Sequence, residues 1–510
     1  MHLKSLVLLL LLPVSMSFAQ TSLKDINLQQ GKYQVGFKHY TLTDSTRVYQ
    51  IHNEYNNQQI FRPVPVSIWY PAARTSKKLP PLQVLNYLEV LKEEEEWEHL
   101  PNRFLLDWFP YLWNTPQNKA HLTEKAHAVL QANHLKGKFP VIVYAPSYQA
   151  SSIENFALFE YLASHGFIII SSPSRGTDTR KLEGGTAKDM ETQSRDMEFL
   201  LKEVYTLTNA DTENIAFMGF SFGGISSALT AMKHTHIKAL ISLDGTERYN
   251  YKVLASSPYF NLEKLTVPYV HFAQKEIPEE VLKADRIPEE LNYTFPLFDS
   301  LKYNRIYSYK LHNLSHSYFS SFGVLFANRD KRQDKSDALI MQSYKLVSEY
   351  TLQFLNAFLK EDALAKVYIK NTPEESGFKK ELITGKYKEP IEKAFTYKDF
   401  NDLALKNKHE GIIKLYEKTV AKYPNLELKE RMLNTLGLRM AFNPETAQQG
   451  INVFLLALHL YPKSANLYDS LAEAYFQNND AKNAILNYKK SLELNPENQN
   501  AIDKLKELEE

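Results

Sequence analysis

Between about residues 30 and 360 the chain alternates short apolar runs with longer amphipathic stretches. The runs fall at 64–70, 140–145, 167–171, 215–220, 239–243, 269–273 and 306–311, and several contain almost no polar residue. A strand that is apolar on both faces belongs in a parallel sheet covered by helices on each side. The stretches 155–164, 189–206 and 222–233 carry apolar residues at helical spacing. Strand–helix–strand repetition predicts an α/β layer fold, with ligands outside the carboxyl ends of the strands.

From about residue 396 the strand pattern stops. Tyr423-Pro424, Tyr461-Pro462 and Asn495-Pro496 then punctuate pairs of helical segments, the second and third 34 residues apart. In the last unit Leu467, Ala472, Ala474, Tyr475, Ala484 and Tyr488 put small and aromatic residues at helix–helix contact positions. Units of this length and punctuation resemble tetratricopeptide repeats, best over 464–497, less well over 430–463 and weakly over 401–425. The resemblance implies a short all-α solenoid over 396–510, either docking a peptide partner or serving as a capping appendage. The Lys/Glu-rich segment 366–395, with Pro373 and Pro390, is expected to be the linker to an α/β domain over 20–365.

Residues 1–19 have the form of an export signal: Lys4, an apolar run over 6–12, and the small-x-small site Ser17-Phe18-Ala19 before Gln20. That run is too short to span a bilayer, and no later segment reaches the length without charges. The mature chain is therefore expected in a periplasm or outside the cell. Sixty Lys and Arg balance 59 Asp and Glu, so no basic field exists for tracking nucleic acid. With no cysteine in the chain, a thiol nucleophile, a Cys zinc site and a disulfide framework are excluded.

The chemistry concentrates at Gly219-Phe220-Ser221-Phe222-Gly223-Gly224, which follows the apolar run 215–220 and opens the helical stretch 222–233. Gly-x-Ser-x-Gly between a strand and a helix predicts a nucleophile elbow, with Ser221 on a tight turn and the Phe222 amide facing a developing oxyanion. A serine hydroxyl needs a base held by a third group. Of the histidines after the elbow, His234 and His236 end its helix and His271 sits inside an apolar run. His312 and His316 follow the last strand, and His316, deeper in the loop and before Ser317-Tyr318-Phe319, is favoured as base. His-Asn-Leu-Ser-His lacks the glutamate of a helical zinc motif, so neither a metal nor an organic cofactor is expected. For the acid, Asp244 after 239–243 and Glu276 after 269–273 both stand at strand ends, and the residues alone leave the choice open.

Residues 60–325 resemble the plasma-type platelet-activating factor acetylhydrolases, within the wider dienelactone-hydrolase-like group of α/β hydrolases. The carrying segments are Arg62-Pro63-Val64-Pro65-Val66-Ser67-Ile68-Trp69-Tyr70-Pro71, Phe139-Pro140-Val141-Ile142-Val143-Tyr144-Ala145, Leu162-Ala163-Ser164-His165-Gly166-Phe167-Ile168, the elbow and Leu243-Asp244. The resemblance implies Asp244 as the acid, the 313–319 segment as the histidine loop, and an ester with a short acyl group as substrate. An acetyl-phospholipid, an acetylated glycan or another carboxylic ester would fit. Where the family writes His-Gly after its first central strand, this chain has Pro146-Ser147, so the second oxyanion donor is expected at the amide of Tyr148. That departure leaves room for a catalytically silent scaffold, and a serine peptidase is a third reading.

The insertion 82–135 holds Glu93 to Glu96 and six aromatics: Trp97, Phe104, Trp108, Phe109, Tyr111 and Trp113. It is expected to pack its own small helical core, with a lid over the site as the alternative. The four glutamates are expected on a solvated face. Arg195-Asp196 is expected to be an ion pair or cap with no part in catalysis.

Overall fold

Alternation along the central strands sorts their side chains onto two faces. In the computed structural model, which describes residues 21–509 except 53–55, 75–78, 110 and 328–333, ten strands form one sheet. They are β1 (Gln34–His52), β2 (Asn57–Ala72), β3 (Ala128–Leu130), β4 (Phe139–Ala145) and β5 (Ile168–Ser171), then β6 (Ala210–Phe220), β7 (Ala239–Leu243), β8 (Tyr269–Ala273), β9 (Ile306–Leu311) and β10 (Ile383–Lys388). Their spatial order is β10-β9-β8-β7-β6-β4-β5-β2-β1-β3. The run from β9 to β5 is parallel throughout, while β2 pairs antiparallel with β5 and β1, and β10 pairs antiparallel with β9. The export signal expected at 1–19 lies outside the described residues.

Val141, Val143, Ile168, Ile170 and Phe217 point into one core, with Ile225 and Leu229 of the helix Phe222–Lys233 and Met197 and Leu200 of the helix Ala187–Val204. Ile142, Tyr144, Ile169, Met218 and Ile241 point into the other, against the helices Phe156–Ser164 and Asp337–Leu359. Apolar burial on both faces, at roughly 25 cal/mol per Å² removed from water, is what the continuous runs of β4 to β8 supply. This arrangement is an α/β-hydrolase fold, and an all-α region follows it.

The chain divides into two units, one ending at Ile391 and one running from Glu392. The expected linker 366–395 is thus largely part of the first unit. Ile383 is buried in β10, Lys386 and Tyr387 register against Ser308 and Tyr307, and Tyr309 Oη donates to the carbonyl of Ile369 at 3.2 Å. Its Lys/Glu composition misleads because β10 is an edge strand with one wet face.

The second unit contains the helices Tyr397–Lys406, Ile412–Lys422, Glu430–Ala441, Ala447–Leu460, Ala465–Gln477, Ala481–Leu494 and Gln499–Glu509. Successive helices approach closely where small residues stand: a Cβ on Gly437 would lie 2.7 Å from the Phe454 ring. Ser464 Oγ donates to Glu430 at 2.6 Å, joining equivalent positions of successive helical pairs.

The insertion 82–135 does not pack a separate core. Tyr87, Leu88, Leu91, Leu105 and Phe109 join the main core on the Phe156–Ser164 side of the sheet, and Ala128–Leu130 runs parallel to β1. Nor are its four glutamates a solvated face. Glu94 is 1% exposed and accepts from Ser151 Oγ, from Ser152 Oγ and, at 2.9 Å, from Ser152 N. Glu95 pairs with Arg180, Glu96 accepts from Tyr49 Oη at 2.6 Å, and Glu93 is half exposed beside His39. Asp196 is buried as expected of a structural ion, but its partners are Arg62 and Arg47.

Candidate active site

β6 ends at Phe220 and the next helix begins at Phe222, leaving Ser221 as the only residue in which the chain can reverse. It does so at φ 53° and ψ −121°, a conformation a non-glycine residue holds at a cost of about 1–3 kcal/mol. The turn closes only because its flanks lack side chains: a Cβ on Gly219 would lie 2.1 Å from the Gly223 carbonyl oxygen, and one on Gly223 1.9 Å from that of Ala145. Ser221 N donates to Leu243 O at 3.1 Å and Thr246 N to Ser221 O at 2.9 Å, fixing the elbow to the end of β7.

Three groups from three strand ends meet here. Ser221 Oγ stands 2.8 Å from His316 Nε2 and His316 Nδ1 stands 2.6 Å from Asp244 Oδ2. With Nδ1 protonated toward Asp244, the hydroxyl donates to Nε2, the orientation a general base requires. Asp244 is fully buried and also accepts from Gln274 N at 3.0 Å and Tyr249 Oη at 3.2 Å. Burial alone would raise its pKa; the hydrogen bond and charge of His316, with the Gln274 amide, outweigh burial and hold the carboxyl below its usual range. His316 is fixed by its own amide donating to Gln274 Oε1 at 3.1 Å and by the Phe220 ring, 5.2 Å away between centroids. Gln274 and Tyr249 carried no signal in the sequence beyond standing one and six residues past strand ends.

The other candidates lie elsewhere. Glu276 is exposed and accepts from Tyr293 Oη at 2.6 Å. His312 Nε2 is 2.9 Å from Thr384 Oγ1 of β10, His234 pairs with Glu198, and His236 is exposed. His271 is a buried residue held by Ser242 Oγ at 3.0 Å and Glu247 at 3.3 Å. Among the described residues no group of three or more His, Cys, Asp or Glu could hold a metal ion.

Phe222 opens its helix, so its N–H has no partner within that helix. Tyr148 lies on the loop after β4, its ring 6.0 Å from that of Phe222. Ser221 and His316 border a cavity of about 470 Å³ with Tyr111, Trp113, Phe220 and Phe322 on its apolar side and Ser147 and Glu154 on its polar side. The insertion thus contributes two aromatics to this cavity. A larger, charged cleft of about 880 Å³ is bordered by neither Ser221 nor His316.

A family model described as Chlorophyllase matches residues 114–259, a segment that contains β4 to β7, Ser221 and Asp244. The solved structure of ferulic acid esterase from Streptomyces cinnamoneus is similar at 17% identity, covering 66% of this chain and 93% of that one with a TM-score of 0.46. No curated protein matches. The Chlorophyllase match falls on the strands and elbow that define the fold, and the chain is of the α/β-hydrolase type.

Proposed function

We propose that this protein is an exported serine hydrolase of carboxylic esters, with Ser221 as nucleophile, His316 as general base and Asp244 as the group that orients the imidazole. The observation that carries the reading is the unbroken chain Ser221 Oγ–His316 Nε2 and His316 Nδ1–Asp244 Oδ2, at 2.8 and 2.6 Å, on an elbow whose backbone is held left-handed. The Chlorophyllase match over the same elbow supports ester chemistry.

In this mechanism Ser221 Oγ attacks the ester carbonyl and its proton passes to His316 Nε2. The amides of Phe222 and Tyr148 take the tetrahedral oxyanion, each contributing on the order of 10²–10³ in rate. The imidazolium, stabilised by Asp244, protonates the leaving alkoxide, and the alcohol departs. Water, deprotonated by His316, then cleaves the acyl-serine. Ser221, His316 and Asp244, with the two amides, supply each proton and charge required.

The cavity beside Ser221 has room for more than an acetyl group, so a short acyl chain as in the acetylhydrolase resemblance would leave most of it to the remainder of the ester. The C-terminal helical pairs are read as tetratricopeptide-like repeats available to a peptide partner, on the 34-residue spacing and the small-residue contacts at Gly437 and Ala484. Export rests on the signal-like residues 1–19. Among the described residues no helix is long and apolar enough to cross a membrane.

A fluorophosphonate probe on the purified protein tests the proposal. Labelling that disappears in Ser221→Ala is expected; a folded wild type that takes no label removes the hydrolase reading. A series of p-nitrophenyl esters of increasing acyl length, set beside acetylated-sugar and phospholipid assays, then defines the substrate. Amide cleavage in place of ester cleavage would replace it with a peptidase.

A further inference from the structure

An oxyanion amide is effective only if it is fixed before the charge develops, because reorganisation at the moment of reaction would consume the benefit. The Tyr148 amide sits on the loop that leaves β4, where Pro146-Ser147 stands in place of the His-Gly of the resembling family. Both donors of Ser147 go to one carboxylate: its N–H donates to Glu154 Oε1 at 2.8 Å and its hydroxyl to Glu154 Oε2 at 2.7 Å. Tyr144 Oη, from β4, donates to the same carboxylate at 2.8 Å. A glycine at 147 could make only the first of these bonds.

Glu154 also reaches the histidine side. Its carbonyl accepts from Phe322 N at 3.0 Å. The adjacent Asn155 donates from Nδ2 to Phe319 O at 3.0 Å and accepts from Ser321 N at 3.0 Å. Phe319 closes the short turn that begins at His316. Two consecutive residues therefore join the loop bearing the Tyr148 amide to the loop bearing the catalytic imidazole, and the Glu154 side chain borders the cavity at Ser221.

We infer that Glu154 is a positioning residue, whose carboxylate holds the Tyr148 amide in place against the Ser221 elbow and couples that loop to the His316 loop. The inference rests on the proposed hydrolase chemistry and deepens it. A buried carboxylate with no cation bonded to it is costly, and a leucine would be cheaper to bury. What the carboxylate supplies in return is three acceptor positions at one point of the oxyanion loop. Burial pushes its pKa to about 7, against the Ser147 and Tyr144 hydrogen bonds and the nearby His316 charge. The titratable groups facing it are Tyr144 from β4, Tyr111 from the insertion and His316 from its loop. Protonation removes the charge that strengthens both Ser147 bonds, so the loop is held best above that pH.

The test compares wild type, Glu154→Leu and Glu154→Gln on the p-nitrophenyl ester the wild type turns over fastest. Wild-type turnover and its loss in Ser221→Ala report on the hydrolase chemistry alone; the Glu154 variants report on the loop. Glu154→Leu is expected to lose roughly 10²-fold in kcat, the cost of one oxyanion donor. Its KM should stay within about two-fold, and its affinity for a trifluoromethyl ketone that adds to Ser221 should fall in parallel with kcat/KM. Glu154→Gln, which keeps shape and one acceptor, should lose less than about tenfold, and its acid limb should lack the contribution that Glu154 makes near pH 7 in the wild type. Wild-type kcat and ketone affinity in Glu154→Leu would overturn the inference, as would an acid limb identical in wild type and Glu154→Gln. If Glu154→Leu does not fold, the Glu154→Gln profile decides.

Discussion

Asp244 is a buried carboxylate at φ 43°, with three donors and no exposed surface. Substituting Asp244→Asn keeps the volume but can turn an amide N–H toward His316 Nδ1, which then presents the wrong tautomer to Ser221. We expect kcat to fall by about 10⁴-fold. Glu276→Gln should alter kcat/KM by less than about two-fold, since that side chain is exposed and its carboxylate accepts from Tyr293, not from His316. Steady-state rates decide, and loss in Glu276→Gln alone would move the acid to the loop after β8. Glu154 gives a second prediction with the opposite sign for stability. Its carboxyl is raised from 4.5 to about 7 on folding, so the folded chain holds a proton that the unfolded chain releases. The resulting stability is full below about pH 4.5 and lost as pH rises through about 7. Relative to wild type, Glu154→Gln should therefore gain on the order of 1–3 kcal/mol between about pH 5 and pH 8, read from thermal melts at both. A variant that is steadier at pH 8 yet slower there would separate positioning from mere support. At this scale Ser221 could be read from the sequence because strand, glycines and helix surround it in one continuous stretch. Glu154, Gln274 and Tyr249 could not, because hydrogen-bond partners assembled by the fold leave no local pattern.

Elements were legible to the extent that both their faces are buried. β4, β5, β7, β8 and β9 stand within one residue of where hydrophobicity puts them, while β6 begins five residues earlier than its apolar run, through the polar stretch 211–214. β1 pairs with β2 along nearly its whole length but carries the exposed Thr41 and Thr43, and β10 carries two lysines. Half-exposed antiparallel strands of this kind have too few apolar residues to stand out from loops. The glutamates at the end of the helix Val84–Glu94 mislead for a related reason: composition marks them as surface, while the fold uses Glu94 as a buried acceptor for the Ser151–Ser152 turn. Because that turn ends the oxyanion loop, Glu94→Leu should leave the Ser151 hydroxyl and the Ser152 amide unsatisfied, while the Ser152 hydroxyl keeps Ser67 Oγ at 2.7 Å. Each orphaned donor costs about 1–3 kcal/mol. The urea midpoint should fall accordingly, and wild-type stability would show that the turn finds other acceptors. At the elbow, Gly223→Ala pushes a methyl into the Ala145 carbonyl, so little folded, probe-reactive protein is expected.

At the scale of the whole chain, the two units have separate cores: Phe400, Leu433, Phe454 and Leu471 pack in the helical region, with no residue shared with the two cores flanking the sheet. Every group assigned to the reaction, from Tyr148 to His316, belongs to the unit ending at Ile391. The boundary is the feature the composition of 366–395 obscured, and it yields a prediction about cutting the chain. Ended at Ile391, the protein keeps β10 and the helix Ala363–Lys370, and its kcat/KM on a p-nitrophenyl ester should stay within about two-fold of the full chain. Ended at residue 365, it loses the strand that covers the edge of β9. The Leu311 and Tyr309 backbone groups paired with Ile383 and Gly385 are uncovered, and the Tyr307 ring loses its partner Tyr387, 4.8 Å away between centroids. An open, apolar edge strand is a template for aggregation. The shorter chain should therefore be recovered insoluble or with a markedly lower melting temperature, by light scattering and thermal melt. If instead the chain ended at 365 folds and turns over ester at the full rate, β10 is dispensable, and the segment 366–395 is the linker its composition suggests.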